Sequence, residues 1–153
     1  MTNVSSERKA ALLAAIKQAM KSGDKSRLAT LRLLSAAIKQ REVDSRQELD
    51  DAAVVAILDK ESKQRKESIA QYSRAGREDL VAIEQAELDV IAGFLPQPLS
   101  KAEVDQLIDE AVQAESATSI RDMGRVMNRL RPQLQGRADI AAASAEVKSR
   151  LGG

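Results

Sequence analysis

The stretch LPQPLSKAE, residues 95–103, decides how this chain of 153 residues is divided. Pro96 and Pro98 cannot continue a helix, because proline lacks the N–H donor and its ring clashes with the preceding turn. Ser100 and Glu103 follow at the spacing of a capping box, a strong signal for the start of a helix. One helix therefore ends before this stretch and another begins inside it.

The same stretch predicts a boundary between two domains. We expect an N-terminal helical domain of about four helices in residues 1–95 and a C-terminal three-helix domain in residues 99–153. Apolar residues such as Leu12, Ile16 and Met20 recur every three to four positions, which is the helical period. Alanine, leucine, glutamate, lysine and arginine dominate the composition and favour helices. The predicted fold class is all-α.

Local signals place several helix ends. Asp24 and Asp50 stand where they can cap the second and third helices. Gly76 fits the left-handed position that commonly ends a helix, here the third. Asp139 can cap the seventh helix after Gly136 has ended the sixth.

The third predicted helix carries polar residues on its apolar face. Ser62 and Arg65 interrupt the stripe there, and Glu61 is placed to pair with Arg65 one turn away. Such a break marks either a functional site or the solvent-exposed middle of a long helix. The sequence favours the exposed middle.

Composition excludes several kinds of chemistry. The chain contains no cysteine and no histidine, which removes disulfides, thiolate nucleophiles, Cys/His metal sites and the usual neutral-pH general base. Glycine-rich phosphate loops and the serine nucleophile elbow are also missing. We predict no catalytic residue, no metal and no cofactor, which leaves open whether the chain is an enzyme. Tyr72 and Phe94, the two aromatic residues, are too few for a base-stacking platform.

Charge is unevenly distributed, although the net charge is only +1. Residues 1–41 contain nine Lys/Arg against two Asp/Glu, a net of +7. Residues 42–61 contain two against seven, a net of −5, and residues 121–150 contain seven against three, a net of +4. Local basic surfaces are therefore expected on a nearly neutral protein.

Targeting signals are not recognisable in the sequence. No apolar run approaches the length of a membrane span, and the N-terminus lacks the layout of a signal peptide. Together with the lack of cysteine, this leads us to expect a cytoplasmic protein that does not contact membranes.

The candidate binding residues lie near the C-terminus. Arg121, Arg125 and Arg129, which we call the arginine row, recur every four residues and so share one helix face. Gly124 leaves backbone accessible beside them. Arg137 precedes the seventh helix, whose N-terminal N–H groups suit a phosphate. The pattern is consistent with a phosphate-binding cradle for RNA. Spacing alone favours the simpler interpretation, a solvated cationic face, with a glycine that lets two helices approach closely.

Several stretches together resemble the GatB/YqeY family across nearly the full chain, and the stand-alone YqeY-type members in particular. These stretches are LRLLSAAIK (31–39), KESKQRKESI (60–69), AGREDL (75–80), FLPQPLS (94–100), DMGRVM (122–127) and GRAD (136–139).

The resemblance implies an all-helical fold in two parts, with a C-terminal three-helix unit. In the family, this unit forms the tail of the B subunit of the glutamine-dependent aminoacyl-tRNA amidotransferase, where it helps to hold the tRNA. The family is associated with carbon–nitrogen ligase activity that uses glutamine as nitrogen donor. The catalytic parts of that enzyme are not recognisable in this chain.

Three hypotheses follow for function. The leading one is a non-catalytic module that binds tRNA or another structured RNA through Arg121, Gly124, Arg125, Arg129 and Arg137. The second is a helical adaptor that binds protein components of translation or of the amidotransferase. The third, an amidotransferase accessory or enzyme, is the least favoured, because the chain lacks histidine, cysteine and a nucleotide-binding loop.

Overall fold

The computed structural model of the chain describes residues 6–152, which form helices and the turns that connect them. The all-α prediction is confirmed. Contacts within the chain divide it into two compact units, Met1–Leu95 (unit 1) and Pro96–Gly153 (unit 2). Unit 1 contains α1 (Glu7–Ser22), α2 (Lys25–Ser45), α3 (Asp51–Arg74) and α4 (Glu78–Ala92). Unit 2 contains α5 (Lys101–Ala114), a 3-10 helix (Ile120–Asp122), α6 (Met123–Leu134) and α7 (Ile140–Arg150).

One aliphatic core holds unit 1 together. Its four helices pack chiefly as two pairs, α1 with α2 and α3 with α4. Because large rings are scarce, stability depends on burying many branched side chains, each worth about 1.5–3 kcal/mol when fully buried. The buried residues of this core are Leu12, Ala19, Leu31, Leu34, Ile38, Leu49, Val54, Leu58 and Ile91.

The predicted helix ends of unit 1 are confirmed. The Asp24 carboxylate accepts the N–H of Arg27 at 3.1 Å, and the Asp50 carboxylate accepts the N–H of Ala53 at 2.9 Å. Gly76 follows α3 with a φ of 71°, in the left-handed region where glycine has no steric penalty.

Two cations tie α1 to its neighbours. Arg8 forms an ion pair with Asp51 at the start of α3, and its Nε donates to the carbonyl oxygen of Phe94 at 3.1 Å. Lys9 pairs with Glu42 of α2 at 2.8 Å. The hydrogen bond from Lys9 and a second one from the backbone N–H of Leu49 lower the pKa of Glu42, so this carboxylate is charged at neutral pH.

A second aliphatic core holds unit 2 together. Arg150, at the end of α7, reinforces the packing of α7 on α5 by pairing with Asp109 and, at 3.6 Å, with Asp105. Pro132 lies in the last turn of α6, which ends two residues later. The buried residues of this core are Ile108, Ala111, Val126, Met127, Leu130, Leu134, Ala143, Val147 and Leu151.

Within residues 6–152, no helix combines the length and the apolar character that a bilayer crossing requires.

The predicted division into a four-helix domain (residues 1–95) and a three-helix domain (residues 99–153) calls for a folding test. We expect fragments 1–95 and 96–153, expressed separately, each to be helical and to unfold cooperatively, because each unit has its own aliphatic core. The smaller fragment should be the less stable, since a short chain buries a smaller fraction of its surface. Circular dichroism during thermal unfolding provides the measurement, with the full chain as reference. A fragment without helical signal at low temperature would contradict independent folding.

Candidate nucleic-acid interface

The arginine row begins where the 3-10 helix runs into α6. The Asp122 carboxylate accepts the N–H of Thr118 at 2.8 Å and the N–H of Ser119 at 3.2 Å, which fixes this turn. The α-helix starts only at Met123. Gly124 therefore lies in the first turn of α6.

The three arginines of the row are exposed but not equally free. Arg125 and Arg129 lie one turn apart on α6, and their side chains are 59% and 46% exposed. Arg125 pairs with Asp122, and Arg129 approaches Glu115 at 3.6 Å. The exposed side chain of Arg121, on the 3-10 helix, has no hydrogen bond or ion pair within residues 6–152. Two carboxylates thus partly neutralise the row.

Asp122 is ionised at neutral pH. The N–H groups of Thr118 and Ser119, and then the Arg125 guanidinium, hold its pKa below the usual value of 3.8. A carboxyl group whose pKa is lower in the folded state stabilises the fold above its unfolded pKa, and this contribution is lost as the pH falls through the folded value. The turn that carries the row is therefore intact at physiological pH.

Arg137 lies apart from the row, although the sequence grouped them. It follows the C-terminal end of α6, and the five helical residues between Arg129 and that end span about 8 Å. Its Nε donates to the carbonyl oxygen of Gln97 at 3.0 Å, and its own carbonyl oxygen accepts the N–H of Leu99 at 2.8 Å. Arg137 thus fastens the segment before α5 to the turn between α6 and α7.

The N-terminus of α7 already holds an anion. The Asp139 carboxylate accepts the N–H of Ala141 at 2.9 Å and the N–H of Ala142 at 3.3 Å. A phosphate would compete with this carboxylate for the same donors. The predicted cap therefore already uses two of the N–H groups that the sequence offered to a phosphate.

Gly124 does not bring two helices together. A Cβ added at this position would meet no atom within 4 Å, so the close-packing interpretation of this glycine is wrong. The open space lies beside exposed Arg125 and leaves the first turn of α6 accessible from outside.

The polar break in α3 is not exposed, contrary to the sequence interpretation. The side chain of Arg65 is only 11% exposed, and Ser62 is buried. Arg65 pairs with Glu61 on its own helix and with Glu87 of α4 at 3.2 Å. Desolvation opposes the charged form, but the two carboxylates outweigh it and raise the pKa of Arg65. This cluster joins α3 to α4, and the contact between these helices explains why polar residues interrupt the apolar stripe of α3.

Comparison with known proteins gives a consistent result. Residues 9–151 match the protein family described as Yqey-like protein. A relative from Pyrenophora tritici-repentis, named altered inheritance of mitochondria protein 41, mitochondrial, is 32% identical over 144 residues, covering 92% of this chain and 79% of the relative. A relative of the same name from Lachancea thermotolerans is 34% identical over 114 residues, covering 70% of this chain and 61% of the relative. The chain thus spans less than two thirds of the second relative.

The names of these relatives overturn one expectation. Both are named as mitochondrial proteins, which conflicts with the cytoplasmic location expected from the sequence. The expectation rested on the lack of a signal-peptide pattern and of cysteine. An aliphatic helical core without cysteine is compatible with more than one compartment, so the cytoplasmic prediction is wrong.

Replacing Gly124 should leave the fold intact. We expect Gly124→Ala to keep or raise the free energy of unfolding, by up to about 1 kcal/mol, because alanine is the better helix former and its Cβ meets nothing. Gly136→Ala is the matched control, since Gly136 has a φ of 74°, and it should lose about 1–2 kcal/mol. Urea unfolding of both variants provides the measurement. Equal losses in the two variants would contradict the open environment of Gly124.

Removing the cation of the α3–α4 cluster should destabilise unit 1. We expect Arg65→Met to lower the free energy of unfolding by about 2 kcal/mol, because Glu61 and Glu87 remain partly buried without a counter-charge. The neighbouring Lys66→Met removes an exposed cation and should stay within about 0.5 kcal/mol of the original. Adding Glu87→Gln to Arg65→Met should recover part of the loss. Denaturant titration of the three variants measures this, and equal effects at both cations would show that the cluster contributes nothing.

Proposed function

This chain belongs to the Yqey-like protein family, and from that premise we propose that it is a helical RNA-interaction module that binds phosphates through the arginine row of unit 2. The observation that carries the proposal is the exposure of Arg121, Arg125 and Arg129 within nine consecutive residues, beside the open turn at Gly124. Guanidinium groups match phosphate oxygens in shape and charge. The proposed partner is tRNA or another structured RNA, by analogy with the tail of the amidotransferase B subunit.

The ion pairs of the row are compatible with RNA binding. Exposed pairs contribute only about 0–1 kcal/mol, because water screens them. A phosphate can therefore replace Asp122 at Arg125, or Glu115 at Arg129, at small cost. An RNA that extends along α6 would also reach Arg137, whose Nη groups remain available for a phosphate beyond the Nε bond to Gln97.

A salt-dependent titration tests the proposal. We expect labelled tRNA to bind at about 50 mM salt and to weaken steeply as salt increases, because bound counterions are released from the phosphates. The triple variant Arg121→Ala, Arg125→Ala and Arg129→Ala should bind at least about tenfold more weakly. Its log–log salt slope should fall by about 1 for each phosphate that the variant no longer binds. Fluorescence anisotropy provides the measurement.

A charge-matched control separates the row from general attraction. Lys101→Ala, Arg131→Ala and Lys148→Ala remove the same charge from other exposed positions of unit 2. This variant should retain most of the affinity. Equal losses in both triple variants would contradict a specific site, and a wild-type protein that does not bind tRNA at low salt would exclude the function itself.

The alternative is a protein-interaction adaptor that uses the same surface. Ile120 favours it, because this apolar side chain is 43% exposed next to Arg121, and a protein partner would cover it. The partner would be a component of translation or of the amidotransferase. In a pull-down, a partner that remains bound after nuclease treatment and is lost in Ile120→Ser would support the adaptor. RNA binding that survives Ile120→Ser would support the first proposal.

A further inference from the structure

We propose that the chain forms a two-fold dimer in which α4 of one copy lies along the edge of the α1–α2 pair of the other copy. The contact lies within unit 1 and is independent of the arginine row. Two complementary stripes, one on α1 and one on α4, carry the inference.

The first stripe runs along α1. Lys9, Leu13, Ile16 and Met20 follow one another at intervals of four, three and four residues, so they lie on one side of the helix. Leu13 is 45% exposed and Met20 is 57% exposed. Leu13 also lines a cavity of about 230 Å³ between α1 and α2, which makes this edge concave.

The second stripe runs along α4 with the same spacing. Asp79, Ile83, Ala86 and Val90 again follow at intervals of four, three and four residues. Ile83 is 56% exposed, Ala86 is exposed and Val90 is half-buried. Each stripe thus begins with a charged residue that is already paired within its own chain, Lys9 with Glu42 and Asp79 with Arg77, and continues with three apolar residues. Matching intervals allow the side chains of one helix to sit between those of the other.

Charge distinguishes the two surfaces. Within residues 6–152, all the cations of α1 and α2 except Arg8 and Lys9 lack an ion pair. Helix α4 carries acidic residues and no cation at all. The cations without a pair are Lys17, Lys21, Lys25, Arg27, Arg32, Lys39 and Arg41. The acidic residues of α4 without an ion pair within residues 6–152 are Glu78, Glu84 and Asp89, whereas Glu87 pairs with Arg65 and Asp79 pairs with Arg77.

A second copy fits this surface better than RNA does. Phosphates would gain nothing from covering Leu13 and Met20, whereas an acidic helix with an apolar stripe matches both the charge and the apolar residues. Helix α4 of the same chain has these properties. Since each copy offers both surfaces, a two-fold axis makes the contact twice and closes the assembly at two copies.

Sedimentation equilibrium of the full chain tests the dimer. We expect a monomer–dimer equilibrium whose dissociation constant rises about tenfold between low and high salt, because the charges attract across the contact. Met20→Glu and Ile83→Glu should each raise the dissociation constant by about tenfold or more, since both place a carboxylate in an apolar contact. Circular dichroism shows whether each variant remains helical.

Leu33→Glu is the matched control. Leu33 is 54% exposed on α2, but it lies two residues, about 200° around the helix, from Ser35, which lines the α1–α2 cavity. We expect this variant to dimerise like the original protein, within about twofold.

A charge exchange tests the pairing of the two stripes. One variant carries Lys17→Glu and Lys21→Glu, and the other carries Asp79→Lys and Asp89→Lys. Each alone should remain monomeric, because both of its contacts then join like charges. Their mixture should form a heterodimer. One contact then pairs the original charges of α1 and α4, and the other pairs the exchanged charges, so opposite charges meet in both. Adding Met20→Glu and Ile83→Glu to both variants should abolish the heterodimer.

Three outcomes would overturn the proposal. The first is a wild-type chain that stays monomeric at high concentration, in which case the stripes would be a contact surface for a different protein. The second is a mass that keeps rising beyond two copies, since the contact would then not close. The third is an equal loss of association in Leu33→Glu, because the stripe on α1 would then have no special role.

Discussion

Two hydrogen bonds to Arg137 fix how unit 2 begins. Pro96 and Pro98 leave the segment before α5 without helical hydrogen bonds, so its polar backbone groups need partners elsewhere. The Nε of Arg137 donates to the carbonyl oxygen of Gln97, and the carbonyl oxygen of Arg137 accepts the N–H of Leu99. The capped start of α5 is thereby held against the turn between α6 and α7, and the three helices can enclose one core.

In both units, some charged residues pair with a residue on another helix, and others are exposed and have no partner in the part of the chain that the structure describes. Arg8, Lys9 and Arg65 join helices to one another, because each has a partner on a different helix. Arg121 and the outer cations of α1 and α2 have no such partner within residues 6–152. A cation that already joins two helices is costly to recruit for a ligand, whereas an unpaired exposed cation is not. The surfaces open to partners are therefore those whose charges the fold leaves unused.

Features that depend on neighbouring residues could be predicted from the sequence. The caps at Asp24, Asp50 and Ser100 and the helix end at Gly76 follow from short-range rules, and the structure has them. The pairing of Arg65 with Glu87 could not be predicted, because these residues are 22 positions apart and meet only when α4 folds onto α3.

In the candidate site, too, the features set by local spacing could be predicted, and those set by helix packing could not. The exposure of the arginine row follows from its helical spacing. Its partial neutralisation by Glu115 depends on how α5 packs against α6, and no spacing rule contains that information. The separation of Arg137 follows from the length of α6, whereas its role follows from contacts with residues 40 positions earlier.

Asp122 reconciles a stable turn with the phosphate binding that we propose for the arginine row. Its carboxylate is held by the N–H groups of Thr118 and Ser119, whether or not Arg125 is present. Arg125 can therefore turn towards a phosphate while Asp122 keeps two donors and the start of α6 stays in place. If Arg125 were the only partner of Asp122, its departure would leave the carboxylate without a hydrogen-bond donor, and this cost would oppose the transfer of Arg125 to a phosphate. The same residue that partly neutralises the row thus leaves Arg125 free to exchange partners.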